Sequence, residues 1–430
     1  MPLADIQFWP AITAITGILL SLAASIHALL YKRDSRSTIA WVGVIWLAPI
    51  SGAILYALLG INRVKRKVHG RFPVTENQFE KYDHQCQPKE LIKLLPTDRQ
   101  HLSSMAKIGD QLTSMPLMQG NRITPLINGD EAYPAMLEAI QNSQKSISLT
   151  TYIFDNDHIG KKFVDALAYA KNRGVEVRVV IDAVGRRYSI PPINNALKKA
   201  GVPCVLFMPT LVPWAMPYMN LRNHRKIMIV DGKTGFAGGM NTRSHHMLST
   251  KTRHPTRDIH FMIQGPVVRQ LQKVFADDLQ FNSHEVLSGS KWFPEIDPCG
   301  QSLIRAIPDG PDVNLDRIRH AYLGAVNLAQ KKVTIITPYF LPDATLISAL
   351  NTSSMKGVKI DIIIPEHNNQ KMVAWAANAQ LWQLLIWNCN VYLSPKPFDH
   401  SKVMVIDDFL CLLGSANWDP RSLRLNFELG

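Results

Sequence analysis

The chain has 430 residues, a formal net charge of +13 and a sequence pI of about 9.5. A hydrophobic share of 46% beside 19% charged residues excludes a disordered chain, and the length allows a membrane segment plus two ordinary domains or one large duplicated unit. The positive charge selects an anionic partner, nucleic acid or acidic lipid. The scattered cysteines Cys86, Cys204, Cys299, Cys389 and Cys411, with no C-x-x-C pair, favour a reducing compartment and no structural zinc.

Two stretches near the N-terminus, between Asp5 and Lys32 and between Arg36 and Arg63, carry no fixed charge, and each exceeds the ~20 apolar residues that cross a bilayer. Trp9, Tyr31, Trp41 and Tyr56 stand towards their ends, as interfacial rings do. No basic n-region follows Met1 and no small-residue cleavage site leads into a soluble domain, so a two-helix transmembrane hairpin over residues 1–62 is expected rather than a signal peptide. A hairpin puts both ends on one side, and the run Arg63, Lys65, Arg66, Lys67 and Arg71 argues that this side is cytoplasmic, against the basic residues of the loop Lys32–Arg36. His27 reads as a tolerated polar residue and Pro49 as a kink. Residues 63–115 read as a juxtamembrane connector in which Pro73, Pro88 and Pro96 interrupt any long element.

Beyond Gly120 the pattern turns regular. Helical spacing over Glu131–Lys145 is followed by a strand over Ser146–Phe154, a helix over Ile159–Arg173 ending before Gly174, and the alternating strand Val175–Ile181. The order returns with a helix over Ile318–Ala329, a strand over Lys332–Ile336, a helix to Met355 and a strand over Lys359–Ile364. Wording repeats too, "SISLTTYIFDND" against "KVTIITPYFLPD". These patterns predict an α/β fold of two similar halves, 116–285 and 286–430, facing across a pseudo-two-fold axis with one shared cleft.

Each half carries a His-x-Lys-x4-Asp motif: His224, Lys226 and Asp231, then His400, Lys402 and Asp407. Within an apolar strand pattern, His and Lys two apart leave the same face, so the halves would bring two imidazoles and two ammonium groups together. Asn241 and Asn417 follow in G-x-x-N turns, where an amide can donate to a phosphate oxygen. This set fits displacement at a phosphodiester: lysines and asparagines hold the non-bridging oxygens, one neutral histidine attacks phosphorus, and a protonated one serves the leaving oxygen. Asp258 and Glu428 stand at matching places to orient the histidines. Asp231 and Asp407 end their strands at turns, which predicts pairing or capping there rather than substrate contact. No metal or other cofactor is required by this chemistry. His245, His246, His254 and His260 lack zinc-type spacing and read as a loop over the cleft. Trp214 with Met208, Met216 and Met219, among Pro209, Pro213 and Pro217, forms an apolar loop, equally readable as core packing or as a lipid-facing rim.

The doubled motif, with "TYIFDNDHIG", "NHRKIMIVDG", the "GPD" of Gly310–Asp312, "TPYFLPD", "GSANWDPRSLRLNFE" and the N-terminal "KRDSRSTIAWV", resembles the phospholipase D superfamily and, within it, the bacterial cardiolipin synthase family. The resemblance implies two phospholipase D-like halves behind a hairpin in the bacterial inner membrane. It also implies transfer of a phosphatidyl group from one phosphatidylglycerol to another, releasing glycerol, through a phosphohistidine. By analogy His224 is the nucleophile, with Lys226, Lys402, Asn241 and Asn417 on the phosphate. Family members continue past the position of Gly430 with a further strand and helix, so the second half is expected to show an uncovered edge or apolar face. The competing readings are a phospholipase-type hydrolase, a membrane-tethered nuclease (disfavoured by the lack of an aromatic and basic strand-tracking stripe) and an inactive lipid-binding relative.

Overall fold

The computed structural model describes residues 4–32, 35–61, 83–209 and 221–430. They fall into two units, one containing residues 4–61 and the other residues 83–209 with 221–430. The basic run after Arg63 and the Trp214 loop lie outside the described residues; of that loop only Met208, which is buried, and Pro209 are seen.

In the first unit a helix runs over Ala4–Tyr31, and its Phe8–Tyr31 portion is long and apolar enough to cross a membrane. The second apolar stretch departs from a single span. It forms Ser35–Leu47, breaks at Ala48 with φ −142° and ψ 77°, and restarts as Pro49–Leu55 with a π-helical turn Tyr56–Gly60. The reason is Pro49, which stands at the first position of the new segment because it has no N–H to continue the old one. His27 Nδ1 lies 2.8 Å from the Tyr56 hydroxyl, so this polar residue has a partner inside its unit.

The second unit holds two α/β halves. Its strands in chain order are β1 Met118–Ile127, β2 Ser146–Thr151, β3 Glu176–Asp182, β4 Cys204–Phe207, β5 Arg222–Asn223, β6 Ile227–Val230, β7 Thr234–Gly238, β8 Thr256–Arg257 and β9 Ile259–Gln264. They continue as β10 Ser302–Ile304, β11 Pro308–Asp309, β12 Lys332–Ile336, β13 Lys359–Pro365, β14 Asn390–Ser394, β15 Phe398–Asp399, β16 Val403–Ile406, β17 Leu410–Leu413 and β18 Asn426–Leu429. The first sheet runs β10-β1-β9-β7-β6-β2-β3-β4 and the second β14-β13-β12-β16-β17. Thus β6-β2-β3-β4 and β16-β12-β13-β14 share one order, each with an antiparallel motif strand beside a parallel trio.

Local chemistry repeats with the topology. Asp157 caps the helix His158–Asn172 by accepting from the Ile159 and Gly160 amides, and Asp343 caps Ala344–Met355 by accepting from Thr345 and Leu346. The core of the first half gathers Leu149, Val177, Val179, Phe163 and Met228; that of the second gathers Val333, Ile335, Ile360, Ile362 and Met404. These are the inward residues that strand alternation and helix periodicity select.

The connector reading needs correction over 83–115. This stretch folds as the helices Pro88–Leu94 and Ser104–Leu112 around a 3-10 segment Thr97–Ser103, and Leu102 joins the second-half core with Met105 packed against it. Its prolines do keep the elements short, and they also begin them: Pro88 occupies the first turn of its helix and Pro96 immediately precedes the 3-10 segment. β7 is bonded on both edges, by β6 and β9, whereas β17 is bonded only by β16 among the described residues. A largely apolar cavity of about 910 Å³ opens along β17, lined by Leu410, Leu412, Leu429 and Tyr322, with Lys226 and Ser415 also on its wall.

Candidate active site

Each motif histidine stands just before its strand, not within it. His224 and Lys226 occupy the unpaired link from β5 to β6, and His400 and Lys402 the link from β15 to β16. The link is unpaired towards its own half because it is bonded to the other. β5 runs parallel to β18 with Asn223 opposite Phe427, and β15 runs parallel to β8 with Asp399 opposite Arg257. The next amides extend both ladders, His224 N–H donating to Phe427 O at 2.9 Å and His400 N–H to Arg257 O at 2.8 Å. In each case the residue after that acceptor is a carboxylate.

This register crosses the carboxylates. His224 Nδ1 lies 3.0 Å from Glu428, and His400 Nδ1 lies 2.7 Å from Asp258, so each half orients the histidine of the other. Glu428 is fully buried and takes further hydrogen bonds from the Ser415 hydroxyl and the Asn426 amide. Asp258 also accepts from the Ile259 amide at 2.8 Å, and a Cβ at Gly239 would fall 2.6 Å from its Oδ1, so glycine is needed there for room. At the matching turn Gly414 has φ +155°, and a Cβ would meet Leu429 O at 2.0 Å.

The site is crowded with basic groups in a buried setting. Burial, the nearby Lys402 and the effect of Glu428 in the opposite direction leave the Lys226 ammonium at about 7; burial, tempered by Asp258 and Glu428, leaves Lys402 at about 8. Burial lowers both histidines. His400, close to Lys402, Lys226 and His224, falls well below its ordinary value, while Glu428 partly offsets the fall at His224. Burial works against the Glu428 carboxylate, but His224, Lys226 and Ser415 outweigh it and hold its pKa below the usual value. Burial raises Asp258 against the pull of Lys402. Such a constellation favours an anion that would restore the lysines' charge.

Asn241 accepts from the Ile153 amide through Oδ1 at 3.1 Å, leaving Nδ2 without a partner among the described residues. Asn417 donates Nδ2 to Ser422 at 3.0 Å, and its Oδ1 is buried without a hydrogen bond among the described residues. Asp231 and Asp407 sit at the far ends of the motif strands. Asp231 accepts from the amides of Gln144, Lys145 and Ser146, and Asp407 from those of Gln330, Lys331 and Lys332, each with φ +53°. His101 adds a contact to Asp407 at 2.8 Å.

The four downstream histidines do not form one loop. His246 is buried with its ring 6.2 Å from that of His400, His260 is buried on β9, and His254 is exposed. Strand alternation over Ile259–Gln264 turns His260 inward. Among the described residues no cluster of three or more His, Cys, Asp or Glu side chains could hold a metal ion.

Residues outside the motifs complete the site. Tyr152 packs edge-on against His224 at 5.3 Å and under Lys226, while Tyr339 and Phe398 flank His400. Arg225, between His224 and Lys226, pairs with Asp278 and donates to the carbonyls of Glu428 and Asp309, tying the motif to both halves. Its charge inside an apolar strand signature was a signal visible in the sequence.

A duplicated α/β body that supplies one histidine and one lysine from each half defines a phospholipase D-type enzyme. Residues 136–279 and 322–430 match the family described as cardiolipin synthase, PLD-like domain, and residues 19–60 match the phospholipase D-nuclease N-terminal family. The chain is 31% identical to the major cardiolipin synthase of Bacillus subtilis (strain 168), over 97% of this chain and 89% of that protein. It is 30% identical to a cardiolipin synthase of Geobacillus sp. (strain WCH70), over 96% and 83% of the two. In fold it resembles the crystal structure of phosphatidylserine synthase from Haemophilus influenzae, with TM-score 0.58, 17% identity and coverage of 76% and 86%. The chain belongs to the cardiolipin synthase family of the phospholipase D superfamily, a family of phosphatidyl-transfer enzymes.

Proposed function

We propose that this enzyme joins two phosphatidylglycerol molecules into cardiolipin and glycerol through a phosphohistidine on His224. The observation that carries the reading is the crossed pair of histidine–carboxylate contacts beside two buried lysines. His224, with its Nδ1 proton held by Glu428, presents the Nε2 lone pair to phosphorus. The P–N bond forms as the bond to the headgroup glycerol oxygen breaks, and His400 delivers a proton to that oxygen. The headgroup hydroxyl of a second phosphatidylglycerol then gives its proton to His400 and attacks phosphorus, and the electron pair of the P–N bond returns to His224. Lys226, Lys402, Asn241 and Asn417 hold the non-bridging oxygens, whose negative charge also lifts His400 towards its protonated form. Asp231 and Asp407 act as braces of the motif strands.

The same reading places residues 1–62 as a membrane anchor in the bacterial inner membrane, with the halves 116–285 and 286–430 about a pseudo-two-fold axis on the cytoplasmic side. The charge-free N-terminal stretches and the basic run after Arg63 support it.

The test incubates membranes holding the chain or its His224→Asn form with labelled phosphatidylglycerol in EDTA. Cardiolipin and glycerol from the wild type alone are expected. Phosphatidic acid would identify a hydrolase, no histidine-dependent product an inactive binder, and loss of activity in EDTA a metal requirement.

A further inference from the structure

The segment between β13 and β14 has a surface unlike that of a water-facing helix. From Lys371 to Lys396 no intervening residue carries a fixed charge. Its helices Lys371–Asn378 and Trp382–Leu385 bury only Ala377 and Leu384. The large apolar side chains point outward instead: Met372 is 79% exposed, Trp375 68%, Trp382 58% and Ile386 59%, with Leu385 and Trp387 beside them. A helix packed on a soluble body normally buries its apolar stripe and turns charges to water.

The first half supplies an internal control. The corresponding helix between β3 and β4, Ile193–Lys199, buries Ile193 and Leu197 and exposes Lys198 and Lys199. The same place in the topology therefore does not require an apolar outer face. Contiguous exposed apolar residues rich in tryptophan mark an interaction surface, and tryptophan in particular suits the boundary where headgroups meet acyl chains.

Its location links it to the site. Asn369, two residues before the first helix, accepts a hydrogen bond from the Tyr339 hydroxyl at 2.8 Å, and the Tyr339 ring stands 6.3 Å from that of His400.

We propose that Lys371–Trp387 is a membrane-docking surface that inserts its tryptophans, Leu385 and Ile386 into the bilayer interface and seats the histidine cleft against lipid headgroups. The proposal rests on the lipid-transfer reading above. A bilayer fits better than a second copy of the chain for two reasons. The apolar residues are bounded by Lys371 and Lys396, which suit an anionic surface, and the chain carries an apolar helix, Phe8–Tyr31, long enough to cross a membrane.

The test uses the full chain, cysteine-free apart from Trp382→Cys, labelled there with a polarity-sensitive fluorophore and reconstituted into vesicles of phosphatidylethanolamine and phosphatidylglycerol. The expected result is a blue shift quenched by lipids bearing a shallow nitroxide. An emission typical of water overturns the proposal. So does a blue shift that nitroxide lipids leave intact and that grows with protein density, which would mark a contact between copies.

A turnover arm uses the unlabelled Trp375→Glu/Trp382→Glu variant. Its apparent KM for vesicle phosphatidylglycerol should rise at least about tenfold, with turnover of a monomeric short-chain phosphatidylglycerol unchanged. An unchanged vesicle KM counts against docking, as does an equal loss on both substrates. Fluorescence quenching is read without turnover, so failure of the lipid-transfer reading, seen as no histidine-dependent product from the wild type, remains distinguishable from failure of docking.

Discussion

Replacing Asp258 by Asn and Glu428 by Gln separates the two chemical steps, because each carboxylate serves the histidine of the opposite half. Asp258 holds His400 at 2.7 Å and Glu428 holds His224 at 3.0 Å. A hydrogen bond to a charged group contributes about 1.5–3 kcal/mol. Losing it where an imidazolium or phosphohistidine must form should lower kcat by on the order of 10- to 100-fold, at ~1.4 kcal/mol per decade. The variants should then diverge with the leaving group. A phosphatidyl ester of nitrophenol departs without protonation, so Asp258→Asn should recover near wild-type release of nitrophenol in the first turnover. Glu428→Gln should stay slow, because attack by His224 itself is impaired. Rapid acid quench with detection of phosphohistidine provides the assay, and thermal unfolding checks that both variants are folded. Rescue of Glu428→Gln but not Asp258→Asn would reverse the roles of the histidines. Equal rescue of both, or of neither, would refute the crossed assignment.

Three further outcomes follow from the geometry. With Lys226 at about 7 and Lys402 at about 8, both lysines lose charge as pH rises, so substrate binding must take up a proton at Lys226 above about pH 7 and a second at Lys402 above about pH 8. KM should therefore climb by up to about tenfold per pH unit for each proton acquired, and an alkaline limb with flat KM would contradict this. Burial tends to raise the Asp407 carboxyl, but the Lys332, Lys331 and Gln330 amides and His101 outweigh it and hold its pKa below the ordinary value. Its stabilisation is thus present above about pH 4 and lost as pH falls through the folded pKa; Asp407→Ala should cost roughly 3 kcal/mol in denaturant unfolding, from the stranded amides, and blunt that acid limb. Hydrogen exchange should proceed faster at β17, bonded on one edge among the described residues, than at β7, bonded on both, and equal protection would count against a less stable second half.

Much of this body is legible in local sequence. Alternation over Val175–Ile181 located β3, which runs Glu176–Asp182, the repeated element order located β12 over Lys332–Ile336, and the helices before Gly174 and Gly357 end next to those glycines, within the residue or two that helix ends commonly vary. The repeated strings located both motifs because short-range period survives duplication. Crossing of Asp258 and Glu428 was not legible, since it depends on β8 pairing with β15 and β5 with β18, contacts between distant residues that no local pattern encodes. The Pro88–Leu112 helices escaped for another reason. Their prolines are breakers within an element but starters at its first turn, and the difference lies in where the chain packs. At Pro49 the kink reading was too mild, as the helix stops and restarts there.

The crossed ladders have a consequence for descent. In most duplicated proteins one copy can drift while the other keeps the original task. Here a substitution that shifts β18 by one residue would leave His224 facing Phe427 or Leu429 instead of Glu428, and a slip of β8 would do the same to His400. Each repeat holds the other's reagent in register, so the two must change in concert or lose the chemistry together.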